Sequence, residues 1–241
     1  MLEVNIDSKR FDGSAGGGIE VLNSLHFKCA TDSFTSIVGP SGCGKTTTLR
    51  CILGLDSKFD GTVSSHSNPA GTGRMSAVFQ EPRLLLWRTV EQNVRLVLKD
   101  PDQDQLDELF EELGLSDHRE FYPGQLSLGL ARRAGLARAF ALKPSILVLD
   151  EPFVSLDEKT AGRLRKLLAG VWSARSCTAL MVTHNLAEAI ELSDKILFFS
   201  ASPSTVIGEY SVELPREQRD THYITQAKAE IAARQLHAGP D

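Results

Sequence analysis

The sequence predicts an α/β fold, with a parallel sheet preceded by a β-rich segment and interrupted by a helical insertion. Short strand-like runs recur at 34–38, 76–79, 146–149, 178–183 and 196–199, often followed by helical stretches. The last three are nearly continuous in apolar residues, as parallel strands covered on both faces must be. Strands separated by helices argue for a parallel sheet.

The first thirty residues read as a β meander, and Gly13-Ser14-Ala15-Gly16-Gly17-Gly18 as a flexible hairpin loop. A strand at 35–38 leads through a glycine-rich turn into helical residues 47–53. From about 81 to 142 the pattern becomes helical. Val90, Val94, Val97 and Leu98 recur at helical spacing, then Leu106, Leu109, Phe110 and Leu113, with turns at Asp100-Pro101 and Tyr122-Pro123-Gly124. The tail holds a short strand and a helix near 224–236. The expected division is one domain: an α/β core at 1–79 and 143–205, a helical subdomain at 80–142, and a tail at 206–241.

With 241 residues, 41% hydrophobic and 24% charged, the chain can bury a core. A net charge of -5 gives no general attraction for nucleic acid, and no such partner is expected. No apolar run approaches the roughly 20 residues of a membrane-spanning helix. The N-terminus carries charges where a signal peptide needs its apolar stretch. Work at a membrane would therefore require a partner. Cys29, Cys43, Cys51 and Cys177 lack metal-binding spacing, and a reducing cytoplasm is the expected setting.

Gly39-Pro40-Ser41-Gly42-Cys43-Gly44-Lys45-Thr46 fits G-x-x-x-x-G-K-[ST] between a strand and a helix. Glycines let successive N–H groups turn inward around phosphates, where a Cβ would obstruct them. The following helix start, with Thr47, adds partial positive charge. Lys45 would bridge the β- and γ-phosphates, and the Thr46 hydroxyl would meet Mg²⁺. A pattern this loose arises by chance in roughly one chain of this length per hundred, before its strand–loop–helix context is counted. The expected fold is thus a P-loop NTPase core binding ATP with Mg²⁺.

The strand at 146–149 ends in Asp150-Glu151-Pro152, where open α/β sheets place ligand chemistry. Asp150 would hold Mg²⁺, and Glu151 would deprotonate the water that attacks the γ-phosphate.

The order of motifs resembles ABC transporter ATPase subunits over nearly the whole chain. Ser76-Ala77-Val78-Phe79-Gln80-Glu81-Pro82 resembles the family's Q-loop, which implies that Gln80 contacts Mg²⁺ and the attacking water. Leu126-Ser127-Leu128-Gly129-Leu130 resembles the signature, followed by Arg133 and Leu136-Ala137-Arg138-Ala139. Ser155-Leu156-Asp157 resembles the D-loop and places Asp157 at the nucleotide. His184 resembles the switch histidine, and Phe11 the aromatic that stacks on adenine. The resemblance implies a head-to-tail pair of subunits, probing each other's γ-phosphate through Ser127 and the backbone around Gly129. It also implies a membrane permease as partner, a periplasmic or lipoprotein solute-binding protein acting indirectly, and a place on the cytoplasmic face of the membrane.

Leu128 replaces the first glycine of the signature pair. If that position required positive φ, the cost would be about 1–2 kcal/mol. Cys43 sits where a helix N-terminus would favour its thiolate. Glu81-Pro82-Arg83-Leu84-Leu85-Leu86-Trp87-Arg88-Thr89-Val90, with Asn93-Val94, resembles the nitrate, sulfonate and taurine importers, as does Glu213-Leu214-Pro215-Arg216. Leu130-Ala131-Arg132-Arg133-Ala134 resembles instead the ATPases of phospholipid trafficking. A soluble ABC ATPase acting as an assembly scaffold is a further alternative.

Overall fold

Strand β1 (Leu2–Phe11) buries Leu2, Val4 and Ile6 on alternate positions, so one face of its sheet is a core face. It pairs antiparallel with β2 (Ile19–Cys29) and with β4 (Asp60–Ser65). The computed structural model describes residues 1–12, 18–65, 74–175 and 177–234, so the expected hairpin loop lies, apart from Gly18, outside the described residues. The chain divides into two compact units, Met1–His66 with Thr178–Asp241, and Ser67–Cys177.

In the first unit, β3 (Phe34–Val38) pairs in parallel with β7 (Thr178–Thr183) and with β8 (Lys195–Phe199). Strand β9 (Val206–Ser211) runs antiparallel along β8. All residues of β3 and β7 are buried, as their apolar runs require. Helix α1 (Lys45–Ile52) follows β3, and α6 (Leu186–Leu192) follows β7. Helix α7 (Thr221–Ala233) contributes Ala227 and Ile231 to the same core as Val38, Ile190, Phe198 and Tyr210. It starts ahead of the expected 224 because Asp220 accepts the Tyr223 N–H at 2.8 Å. The expected end, Leu236, lies outside the described residues.

In the second unit, β5 (Met75–Val78) and β6 (Ile146–Asp150) are parallel. The helices are α2 (Val90–Arg95), α3 (Gln103–Glu112), α4 (Leu128–Ala141) and α5 (Glu158–Ser173). Helix α2 stops short of Val97, and the Leu98 N–H bonds the Arg95 carbonyl at 3.0 Å in a tighter turn before Pro101. Strand β6 carries its pairing to the end of the apolar run and delivers Asp150 buried, at 6% exposure.

Candidate nucleotide site

The turn from β3 into α1 is shaped by glycine. Gly42 (φ 77°) and Gly44 (φ 105°) are left-handed, a conformation that costs any other residue about 1–2 kcal/mol. A Cβ on Gly44 would stand 2.8 Å from Leu22 Cδ2, and one on Gly39 3.0 Å from Cys43 Sγ and from Phe199 Cβ. Left-handed residues interleaved in a turn direct successive N–H groups to one side, which makes an anion-binding concavity. Gly44 is also the N-cap of α1 and brings no side chain to it. Among the described residues α1 is the one α-helix without a side-chain cap; Thr89, Asp102, Ser127, Asp157, Asn185 and Asp220 cap the other six.

Lys45 is buried and donates from Nζ to the carbonyls of Gly39 (2.7 Å) and Pro40 (2.9 Å). The ammonium therefore lies along the loop, within a side-chain rotation of anything the loop holds. Ser41, Gly42 and Thr46 are exposed, Thr47 is half-buried, and Cys43 is buried with its carbonyl accepting from the Ser204 hydroxyl. That serine, fully buried, supports the loop from beneath. Motif reading did not single it out.

Two further expected residues sit in this unit. Phe11 ends β1, is 44% exposed, and stands opposite Ile19 in the register. His184 is exposed at the end of β7 in a turn fixed on both sides. Thr183 Oγ1 donates to Glu188 at 2.7 Å and accepts the Asn185 N–H at 3.0 Å, while Asn185 caps α6 through the Ala187 N–H at 2.9 Å.

The second unit carries the acids. Glu151, directly after buried Asp150, is left-handed (φ 44°), as is Ser155 (φ 64°). Non-glycine residues held there store strain of about 1–3 kcal/mol, and such residues cluster at functional sites. Gln80 is exposed just beyond β5. Asp157 caps α5 through the Thr160 N–H at 3.0 Å, and the bonds to Thr160 hold its carboxyl below the usual carboxylate range.

Ser127 caps α4, accepting the Leu130 N–H at 3.3 Å, which leaves its own O–H able to donate outward. A Cβ on Gly129 would approach Thr160 Cγ2 to 3.0 Å. Leu128 is the first residue of α4 and 42% exposed, and it does not have positive φ. The strain considered for it from sequence does not arise, because Ser127 takes the non-helical cap position.

Three second-unit residues that motif reading left without a role organise this region. Arg132, at 3% exposure, donates to the Phe79 carbonyl (3.5 Å) next to Gln80 and to the Val154 carbonyl (3.2 Å). Arg138 holds the carbonyls of Pro82 (2.8 Å) and Arg83 (2.9 Å). Burial pulls both guanidinium pKa values down. Asn93, fully buried, accepts the Leu85 N–H at 2.7 Å and donates to the carbonyls of Leu85, Arg88 and Thr89 at 3.1, 3.1 and 2.9 Å. The segment it fastens presents Leu86 and Trp87 at 70% and 73% exposure. The only sequence signal was the Asn93-Val94 pair itself.

An uncapped helix start behind a left-handed glycine turn, with a lysine folded onto it, defines a P-loop nucleotide-binding protein. Comparison gives the family. Residues 22–154 match the ABC transporter family, and the chain belongs to it as one of its ATPases. It is 38% identical over 239 residues to the aliphatic sulfonates import ATP-binding protein SsuB 2 of Pseudomonas syringae pv. tomato, covering 98% of each chain. It is 34% identical to SsuB of Bacillus thuringiensis subsp. konkukian, covering 99% of this chain and 97% of that one. Among solved structures it resembles the dimeric structure of MJ0796, a bacterial ABC transporter cassette. The TM-score is 0.76 at 25% identity, over 89% of this chain and all of that one.

Proposed function

We propose that the chain powers an importer of aliphatic sulfonates or chemically similar small solutes, coupling ATP hydrolysis to a separate membrane permease. The start of α1 behind left-handed Gly42 and Gly44, which no side chain caps, carries this reading, because a helix N-terminus directs oriented N–H groups and partial positive charge at a polyphosphate. Lys45 turns from the Gly39 and Pro40 carbonyls to the β- and γ-phosphates. Phe11 stacks on the base. Glu151 takes a proton from water as its oxygen bonds to the γ-phosphorus, the bond to the β–γ bridging oxygen breaks, and ADP and phosphate leave. Gln80 and His184 orient the water and the γ-phosphate.

The Thr46 hydroxyl and the Asp150 carboxylate, with Gln80, are hard oxygen donors of the kind Mg²⁺ takes. When bound, the ion offsets charge on the β- and γ-phosphates. Two copies stack head to tail, each offering the free O–H of Ser127 and the backbone at Gly129 to the other's nucleotide, with Asp157 alongside.

No helix among the described residues is long and apolar enough to cross a membrane. In this reading a separate permease holds the chain at the cytoplasmic face, and exposed Leu86 and Trp87 offer it an apolar contact. A solute-binding protein delivers cargo from the other side. Relatives named for sulfonate import, similar over nearly their whole length, support the cargo class.

The test is recovery of a tagged chain from solubilised membranes, followed by reconstitution of whatever co-purifies into vesicles. The expected result is a co-purifying permease and ATP-dependent uptake of an alkanesulfonate. Recovery with a soluble assembly only, or stimulation by phospholipid and not sulfonate, would contradict it.

A further inference from the structure

We infer that Lys9 is a positioning residue for the nucleotide base: its buried ammonium, clamped by Asp56 and the Lys58 carbonyl, holds the Phe11 ring in a fixed orientation for stacking. The inference rests on the reading of Phe11 as the base-stacking residue and extends it to the charge beneath the ring.

The argument begins with an irregularity. Strand β1 buries Leu2, Val4 and Ile6, then breaks phase and buries Lys9. The register shifts between Ile6 and Ser8 against β4, and between Lys9 and Arg10 against β2. Such bulges re-aim side chains. Here the inward position goes to a lysine at 2% exposure, and lysines are almost never fully buried unless paired.

Nζ donates to Asp56 Oδ1 at 2.7 Å and to the Lys58 carbonyl at 2.8 Å. Asp56 also accepts the Lys58 N–H at 3.1 Å, which closes the turn. The ammonium lies 4.6 Å from the centre of the Phe11 ring, within the range of a cation–π contact. Phe11 closes β1 at 44% exposure, opposite Ile19 in the register, so part of its ring is open to a ligand while the Lys9 ammonium lies against it.

The clamp has a second consequence. Asp56 and Lys58 lie just beyond α1, the helix that begins in the phosphate loop. One ammonium therefore ties the base end of the site to the segment behind its phosphate end. The Lys9–Asp56 pair is neutral overall, so it exerts little pull on phosphates. Its influence should fall on base-dependent binding alone.

The test is titration of the purified full chain with Mg-ATP and with Mg-tripolyphosphate, which has the phosphates and no base. Lys9→Met should weaken ATP about three- to tenfold and leave tripolyphosphate within about twofold. Lys9→Arg, which keeps a cation over the ring, should recover most of the ATP affinity. In a Phe11→Leu background Lys9→Met should cost ATP nothing further. If Lys9→Met does not fold, the neutral pair Lys9→Gln with Asp56→Asn keeps the hydrogen bonds and removes the cation, and should show the same selective loss. Unchanged ATP affinity, an equal loss for both ligands, or a full loss in the Phe11→Leu background would overturn the inference. A Phe11→Leu variant with normal ATP affinity would instead overturn the reading of Phe11 itself.

Discussion

Helix α1 begins at Gly44, which is left-handed and offers no side chain to the first N–H groups; α4 begins at Ser127, whose hydroxyl accepts one of them from Leu130. Both ends carry the partial positive charge of a helix start. In α4 an internal oxygen shares that charge, and what is left to offer is the serine proton. In α1 no side chain caps the terminus, and Lys45 supplies a full charge beside it. A phosphate loop is thus recognised by what the sequence withholds, a cap, as much as by the lysine it provides.

Removing the lysine should break this contrast most severely. Lys45→Ala should lower ATP hydrolysis about 10²–10³-fold, read as steady-state phosphate release, since a charge-assisted donor to developing charge is lost. Gly44→Ala tests the backbone side of the comparison. The left-handed φ and the approach to Leu22 Cδ2 should lower stability by about 1–2 kcal/mol in a urea melt and weaken nucleotide binding with it. Ser127→Ala should cost about 1 kcal/mol through loss of the α4 cap, with ATP affinity of the isolated chain unchanged in the same titration.

The smallest effect concerns Asp157, the cap of α5. Its folded pKa lies below its unfolded value, so its stabilising contribution is complete above the unfolded value of about 3.9 and disappears as pH falls through the folded one. Asp157→Asn removes that dependence. Thermal melts of the two proteins should differ most near neutral pH and converge in strong acid.

The sequence made local features readable. Strands β3 and β7 are found at the residues their apolar runs mark, and the glycine–lysine turn stands between β3 and α1. Ends were less readable where a cap or a tight turn decides them, as at Asp220 and after Arg95. Least readable were side chains whose partners lie far along the chain. Arg132 joins segments near 79 and 154, and Lys9 reaches 56–58. Motif reading gave neither its partners: a carbonyl acceptor is common to every residue, and the Asp56 carboxylate that also takes Lys9 stands 47 positions along the chain. Leu128 shows the converse. A glycine position in a motif suggested backbone strain, and the helical backbone there carries none.

The central claim is that the 39–46 loop grips the triphosphate while Glu151, at the strained turn after β6, readies water to cleave it. Single-turnover hydrolysis by Glu151→Gln, alongside its ATP affinity, tests this most directly. The account predicts wild-type affinity with hydrolysis reduced at least about 10²-fold. Undiminished hydrolysis, or an ATP affinity lost together with it, would contradict the account.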